Sequence, residues 1–149
     1  MDSTIQLLQD VLRNARTGES AVDQLLERAK GDDMRRALTD GARQYAAFAE
    51  EARSQLAKAG GEPEPVSVMA RASMWMGIEM KALMDATDSH MAELVIQGET
   101  MGITEMTKAL NSRPDASAEA RDLARRFVDW QRQDIDNMKP RLRNAVTTG

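Results

Sequence analysis

The amino-acid sequence predicts an all-α protein, an antiparallel four-helix bundle with one long crossover. Alanine, leucine, methionine, glutamate, arginine and glutamine, which are strong helix formers, dominate its 149 residues. Residues that favour strands are scarce, with only one tyrosine, two phenylalanines and two tryptophans. Apolar residues recur at helical spacing over long stretches, and clusters of glycine and proline separate these stretches. The length suits one domain, residues 1–149.

Helix 1 is predicted over residues 3–30. Ser3 and Gln6 have the spacing of a capping box, in which each side chain bonds the backbone amide of the other residue. Thr17 and Gly18 weaken the middle of the helix, which predicts a kink or break there, and Gly31 ends the helix. The apolar positions that follow helical spacing are Ile5, Leu8, Leu12, Ala15, Val22, Leu26 and Ala29.

Helix 2 is predicted over residues 33–59. Two glycines and two prolines within residues 60–65 then end it, because such a segment cannot continue a helix. Its apolar positions are Met34, Leu38, Tyr45, Phe48, Ala52, Leu56 and Ala59.

The rest of the chain contains three further helical segments. A short helix over residues 66–84 belongs to the crossover. Thr87, Asp88 and Ser89 offer N-capping side chains, so helix 3 is expected over residues 89–110. Helix 4 is expected over residues 116–144. Its inward-facing residues are predicted to be Leu123, Phe127, Trp130, Met138 and Leu142.

The lengths of the connections predict the topology. Helices 1 and 2 are joined by a short loop, as are helices 3 and 4, so each pair is expected to form an antiparallel hairpin. The connection between helices 2 and 3 is long enough to travel the length of the bundle and return. Two hairpins joined by one long crossover are typical of ferritin-like topology.

Short motifs along nearly the whole chain point to a known family by their order and spacing. They are Asp2-Ser3-Thr4-Ile5 with Leu8, Gly18-Glu19, Gly60-Gly61-Glu62-Pro63, Trp75 with Lys81, Gly98-Glu99 and Ala109-Leu110. In these motifs the chain resembles a bacterial family of ferritin-like four-helix bundles that carries only a domain-of-unknown-function label. The resemblance implies the fold and a bacterial cytoplasmic setting, but no activity, since function is not inherited with a fold.

The sequence does not encode the usual ferritin-like di-metal site. Such sites combine glutamates with a Glu-x-x-His motif, whose two side chains share a helix face. The only histidine is His90, and the residue three positions before it is Thr87. We therefore expect His90 to lie in the first turn of helix 3 rather than to bind a metal.

Three acidic residues nevertheless fall within the apolar pattern of three helices. Glu19 lies among the apolar residues of helix 1, Glu99 among those of helix 3, and Asp134 among those of helix 4. Helix 2 offers Tyr45, or Glu51 at the edge of its pattern. A buried carboxylate needs a metal, a basic side chain or a hydrogen-bond network. We predict that Glu19, Glu99 and Asp134 converge near mid-bundle, either as a polar cluster or as a degenerate di-metal centre with oxygen ligands.

Methionine is concentrated in the middle of the chain. Eight of the eleven methionines lie between Met69 and Met106, and Met76, Met80 and Met84 share one helix face. Methionine is foremost a filler of irregular cores and interfaces. We expect the crossover to pack against the bundle, and any homo-oligomer to form through this face.

Composition excludes several kinds of function. The absence of cysteine removes disulfides and thiolate sites, and fits a cytoplasmic location. The mixed charges, with a net charge of −4, argue against nucleic-acid binding, and the apolar runs are too short to span a membrane. No nucleophile, phosphate loop or cofactor motif is recognisable. The sequence thus favours a non-catalytic bundle, stress-associated or scaffolding. A metal-binding protein and a self-association module are the alternatives.

Overall fold

The computed structural model describes residues 2–64 and 87–144, and within these ranges it is all-helical, without strands. The helices are α1 (Ser3–Leu26), α2 (Asp32–Lys58), α3 (Asp88–Ser112) and α4 (Ala118–Met138), followed by a short 3₁₀ helix, Lys139–Arg141. The all-α prediction is confirmed. The predicted crossover helix, with Trp75 and the methionine face, lies outside the described residues.

Side chains that precede the helices cap three of the four N-termini. Asp2 accepts a hydrogen bond from the amide of Thr4 at 2.7 Å, so Asp2 rather than Ser3 caps α1. Thr87 caps α3 as its spacing predicts. Ser117 accepts a bond from the amide of Ala120 and caps α4. Each of these oxygens satisfies an amide that has no partner within its helix.

Two helices end earlier than the sequence predicts. The first, α1, stops at Leu26 instead of residue 30. Beyond this point, Arg35 of α2 donates hydrogen bonds to the carbonyls of Leu26 and Ala29 at 3.0 and 2.9 Å. The other, α4, stops at Met138 instead of residue 144 because Pro140 cannot continue an α-helix. The chain then turns away, and Leu142, predicted to face inward, is 39% exposed. No break occurs at Gly18, since α1 is continuous.

Contacts between the helix ends define how the helices are arranged. The beginning of α1 lies beside the end of α2, where Gln9 donates a hydrogen bond to the carbonyl of Glu62 at 2.8 Å. Thr4 accepts a bond from the amide of Ser117, so the same end also holds the beginning of α4. At the opposite end, the amide of Arg143 donates to Ser89 at the beginning of α3.

The core contains apolar residues from all four helices and an aromatic cluster. Tyr45 meets the ring of Trp130 edge-on at a centroid distance of 4.8 Å, and the ring of Phe127 at 6.0 Å. Phe48 packs against both Phe127 and Trp130. Four of the five aromatic side chains are therefore concentrated between α2 and α4. No helix of the described part of the chain has the length and apolar character needed to cross a membrane.

Candidate functional site

Three helices each place one polar side chain in the interior of the structure. Tyr45 of α2 is 1% exposed, Glu99 of α3 is 0% exposed and Gln131 of α4 is 1% exposed. Burial of such groups is unfavourable unless they find hydrogen-bond partners. Together with Asp134 of α4 they form what we call the interior polar cluster.

Tyr45 connects two other members of the cluster, Glu99 and Gln131. Its hydroxyl donates to Oε2 of Glu99 at 3.1 Å and accepts a bond from Nε2 of Gln131 at 3.3 Å. Both bonds are long, but each is fully enclosed, where a hydrogen bond is stronger than in water. The hydroxyl thus links α2 to both α3 and α4.

Asp134 is the member of the cluster that approaches solvent. Its carboxyl group lies within hydrogen-bonding range of the Glu99 carboxyl group. It also lines a cavity of about 1290 Å³ between the beginnings of α2 and α3 and the end of α4. Two carboxylates can only repel each other, so this contact requires a proton or a cation between them.

Burial dominates the electrostatics of the cluster. It raises the pKa of Glu99 well above the ordinary value, and the nearby Asp134 carboxyl raises this pKa further, whereas the bond from Tyr45 lowers it. Burial also raises the pKa of Asp134, while its bond with Glu99 and the positive charge of Arg141 oppose that shift. Glu99 is therefore the partner that carries the shared proton in the absence of a cation.

Two glycines make room for the cluster. A β-carbon at position 18 would lie 2.7 Å from Cδ1 of Tyr45, and closer still to Cε1 and Cζ of the same ring. A β-carbon at position 102 would lie 2.7 Å from Nε2 of Gln131. Gly18 and Gly102 therefore let the Tyr45 ring and the Gln131 amide lie directly on the backbones of α1 and α3.

Asp10 shows how the charge of a buried carboxylate is compensated by basic side chains. Asp10 of α1 is 9% exposed, and its carboxylate pairs with Arg13 at 2.6 Å and with Arg113 at 3.1 Å. Arg13 also pairs with Glu64. Two guanidinium groups compensate the charge of Asp10, whereas no basic side chain contacts Glu99 among the described residues.

The structure brings together two of the three acids predicted to converge. Glu99 and Asp134 are in contact, but Glu19 is half-buried and forms an ion pair with Arg16 at 3.2 Å. Within residues 2–64 and 87–144, no group of three or more acidic, histidine or cysteine side chains is arranged to hold a metal ion. The metal assignment of Glu19, Glu99 and Asp134 stays a prediction.

Sequence reasoning missed Gln131 and only partly recognised Tyr45. Gln131 lies four residues after Phe127 and three before Asp134, so the helical spacing that identified Asp134 also includes Gln131. Because its side chain is uncharged, a criterion based on interior acids does not select it. Tyr45 was one of two options on helix 2, and its burial settles the choice. His90 lies in the first turn of α3 as expected, 4.0 Å from Glu93.

Comparisons with known proteins give a family and a fold. None of the curated proteins matches the sequence. The crystal structure of a DUF305 fragment from Deinococcus radiodurans superposes with a TM-score of 0.73, covering 94% of this chain and 95% of that one. The two sequences are 21% identical, so this likeness concerns the fold alone. Residues 3–112, which include α1 to α3, match the family model described as a domain of unknown function, DUF2383. The chain therefore belongs to the DUF2383 family.

Proposed function

We propose that this protein is a non-catalytic, ferritin-like bundle of the bacterial cytoplasm that acts through its surface, as a scaffolding or stress-associated protein. Its partners would be proteins rather than nucleic acid or membranes, because its charges are mixed and its net charge is −4. The proposal accords with membership of a family without an assigned activity.

The contacts at the helix ends support the ferritin-like topology. The bond between Gln9 and Glu62 fits an antiparallel pair formed by α1 and α2. The bond between Ser89 and Arg143 fits a second antiparallel pair formed by α3 and α4. Both α1 and α4 begin at one end, as Thr4 and Ser117 indicate, so α2 ends at that end and α3 begins at the opposite one, as ferritin-like topology requires.

One observation carries the non-catalytic assignment: the most polar part of the interior is closed. Tyr45, Glu99 and Gln131 are at most 1% exposed and are bonded to one another across three helices. A substrate could reach only Asp134, through the cavity that it lines. Such a network fixes how helices pack, which is a structural role.

A complementation experiment tests the proposal. A strain that lacks the protein should survive oxidative, acid or stationary-phase stress less well than its parent. Glu99→Gln and Tyr45→Phe, if folded and equally abundant, should restore survival as wild type does, because a scaffold does not need the chemistry of its interior. A folded Glu99→Gln protein that fails to complement would argue for catalysis, and a deletion without any stress defect would argue against stress association.

A second candidate function is a carboxylate-based metal protein with a degenerate di-metal centre. The contact between Glu99 and Asp134 favours it, since carboxylates that face each other can bridge two ions. Metal analysis of protein purified without chelator separates the two functions. Two iron or manganese ions per chain would support the di-metal centre, whereas the scaffold requires none.

Self-association through the Met76, Met80 and Met84 face is a third candidate, and that face lies outside the described residues. Sedimentation of wild type and of Met80→Lys tests it. We expect the substitution to convert a wild-type oligomer into monomers, because a buried lysine in an apolar contact is unfavourable. A monomeric wild type, or an assembly that the substitution leaves unchanged, would exclude this interface.

A further inference from the structure

Two oxygen atoms of the interior polar cluster lack a hydrogen-bond donor. They are Oε1 of Glu99 and Oε1 of Gln131, and neither has a partner among the described residues. Each has less than 1 Å² of exposed surface. A buried acceptor without a donor is unfavourable by about 1–3 kcal/mol, so a pair of them in one cluster points to something that binds there.

Both oxygens lie near the hydroxyl group of Tyr45. Tyr45 contacts the other polar atom of each group, at 3.1 Å for Glu99 and 3.3 Å for Gln131. Because the two polar atoms of a carboxyl or amide group are at most about 2.5 Å apart, both oxygens lie within about 6 Å of the Tyr45 hydroxyl. The amide of Gln131 also rests on Gly102, which shares a face of α3 with Glu99 three residues earlier.

The kind of ligand follows from the charges of the groups and from the donors that their oxygens require. A water molecule could donate hydrogen bonds to the oxygens, but it would leave two carboxylates facing each other without a counter-charge. A proton between Glu99 and Asp134 leaves Gln131 unsatisfied. A divalent cation would compensate both carboxylates and bind the amide oxygen. We propose that the cluster binds one small, hard divalent cation, of the class of Mg²⁺ and Mn²⁺, on oxygens of Glu99, Asp134 and Gln131.

The chemistry of the three groups agrees with this class of ion. Two carboxylates neutralise the charge of a divalent cation, and the amide adds a third oxygen ligand. Tyr45 holds both Glu99 and Gln131 by hydrogen bonds, which is the orienting role of an outer-shell residue. Asp134 connects the site to the cavity and so provides a route for the ion. An ion enclosed in this way is structural, so the inference goes beyond the scaffold function and is independent of it.

Titration of metal-free protein tests the site. Protein stripped with EDTA and dialysed is titrated with MnCl₂ and, separately, MgCl₂ by calorimetry, and bound Mn²⁺ is followed by electron paramagnetic resonance. We expect one ion per chain and a higher Tm with the ion. Glu99→Gln and Gln131→Met should each weaken binding by more than about tenfold, the lower range of the effect of outer-shell substitutions. Circular dichroism in EDTA checks that the variants are folded.

Glu19→Gln is the matched control, because it removes an acidic residue that pairs with Arg16 outside the cluster. Its affinity should equal that of wild type. The site is excluded if neither ion binds saturably at millimolar concentration, if Glu99→Gln binds as tightly as wild type, or if Ca²⁺ binds where the smaller ions do not. Two ions per chain would favour the di-metal centre instead. A protein that binds no ion could still complement a deletion strain, so the two proposals can fail separately.

Discussion

In metal-free protein near pH 7, Glu99→Gln is expected to raise the free energy of unfolding by about 1–3 kcal/mol, since each unit by which burial shifts a pKa corresponds to about 1.4 kcal/mol. Glutamine keeps the shape of the side chain and needs neither a proton nor a counter-charge. Its amide can also donate a hydrogen bond to Asp134, which removes the repulsion between two carboxylates. The substitution should therefore stabilise the apo protein even though it alters a buried hydrogen bond.

The dependence on pH follows from the direction of the shift. The pKa of Glu99 is raised in the folded protein, so the folded state holds this proton more tightly than the unfolded state does. The resulting stabilisation is fully present below the unfolded pKa, and it is lost as the pH rises from there through the raised folded pKa. The advantage of Glu99→Gln should accordingly be absent near pH 4 and grow toward neutral and alkaline pH. Urea unfolding in EDTA at a series of pH values measures it.

A control variant and the addition of Mn²⁺ test whether the stabilisation by Glu99→Gln comes from the buried carboxylate. Glu19→Gln should change the free energy of unfolding by less than about 0.5 kcal/mol at every pH, as is usual for partly exposed ion pairs. Saturating Mn²⁺ should reduce the advantage of Glu99→Gln, because wild type binds the ion more tightly and so gains more stability from it. A Glu99→Gln protein that is less stable than wild type in EDTA at pH 7 would show that the carboxylate is compensated in some other way.

The sequence specified the helices well because their signals are local. Helical spacing, capping residues and glycine or proline stops identified four helices, and Glu99 was recognised as an interior acid. Glu19 shows the limit of this reasoning. Its apolar neighbours suited an inward position, but Gly18 occupies the interior position of that turn beneath Tyr45. The next residue is rotated by about 100° along a helix, so Glu19 faces Arg16 instead.

Positions that depend on contacts between helices could not be inferred from spacing. The role of Gly102 depends on the amide of Gln131 in another helix, and that of Gly18 depends on a ring in α2. At the early end of α1, Arg35 of the next helix donates hydrogen bonds to the carbonyls of Leu26 and of Ala29 in the loop that follows. Pro140 is the exception, since a proline within a helical pattern marks the end of the helix in the sequence itself.

Gly18→Ala is expected to destabilise the protein by about 2–4 kcal/mol, through overpacking and the disturbance of buried hydrogen bonds. The added methyl group would overlap the Tyr45 ring. That ring cannot yield easily, because its edge contacts with Trp130 and Phe127 and its hydrogen bonds to Glu99 and Gln131 hold it on the opposite side. Better helix propensity, worth about 1 kcal/mol, offsets only part of the loss.

Gly41→Ala is the matched control for this substitution. Gly41 also lies within a helix, but a β-carbon there would meet nothing within 4 Å, so alanine should stabilise the protein by up to about 1 kcal/mol. Tyr45→Leu removes the ring and should make Gly18→Ala much less harmful in the double variant than in wild type, which a double-mutant cycle measures by urea unfolding. If Gly18→Ala and Gly41→Ala had the same effect, the Tyr45 ring could not be the reason for glycine at position 18. The interior polar cluster would then tolerate a displaced tyrosine, and its hydrogen bonds would contribute little to holding α2 to α3 and α4.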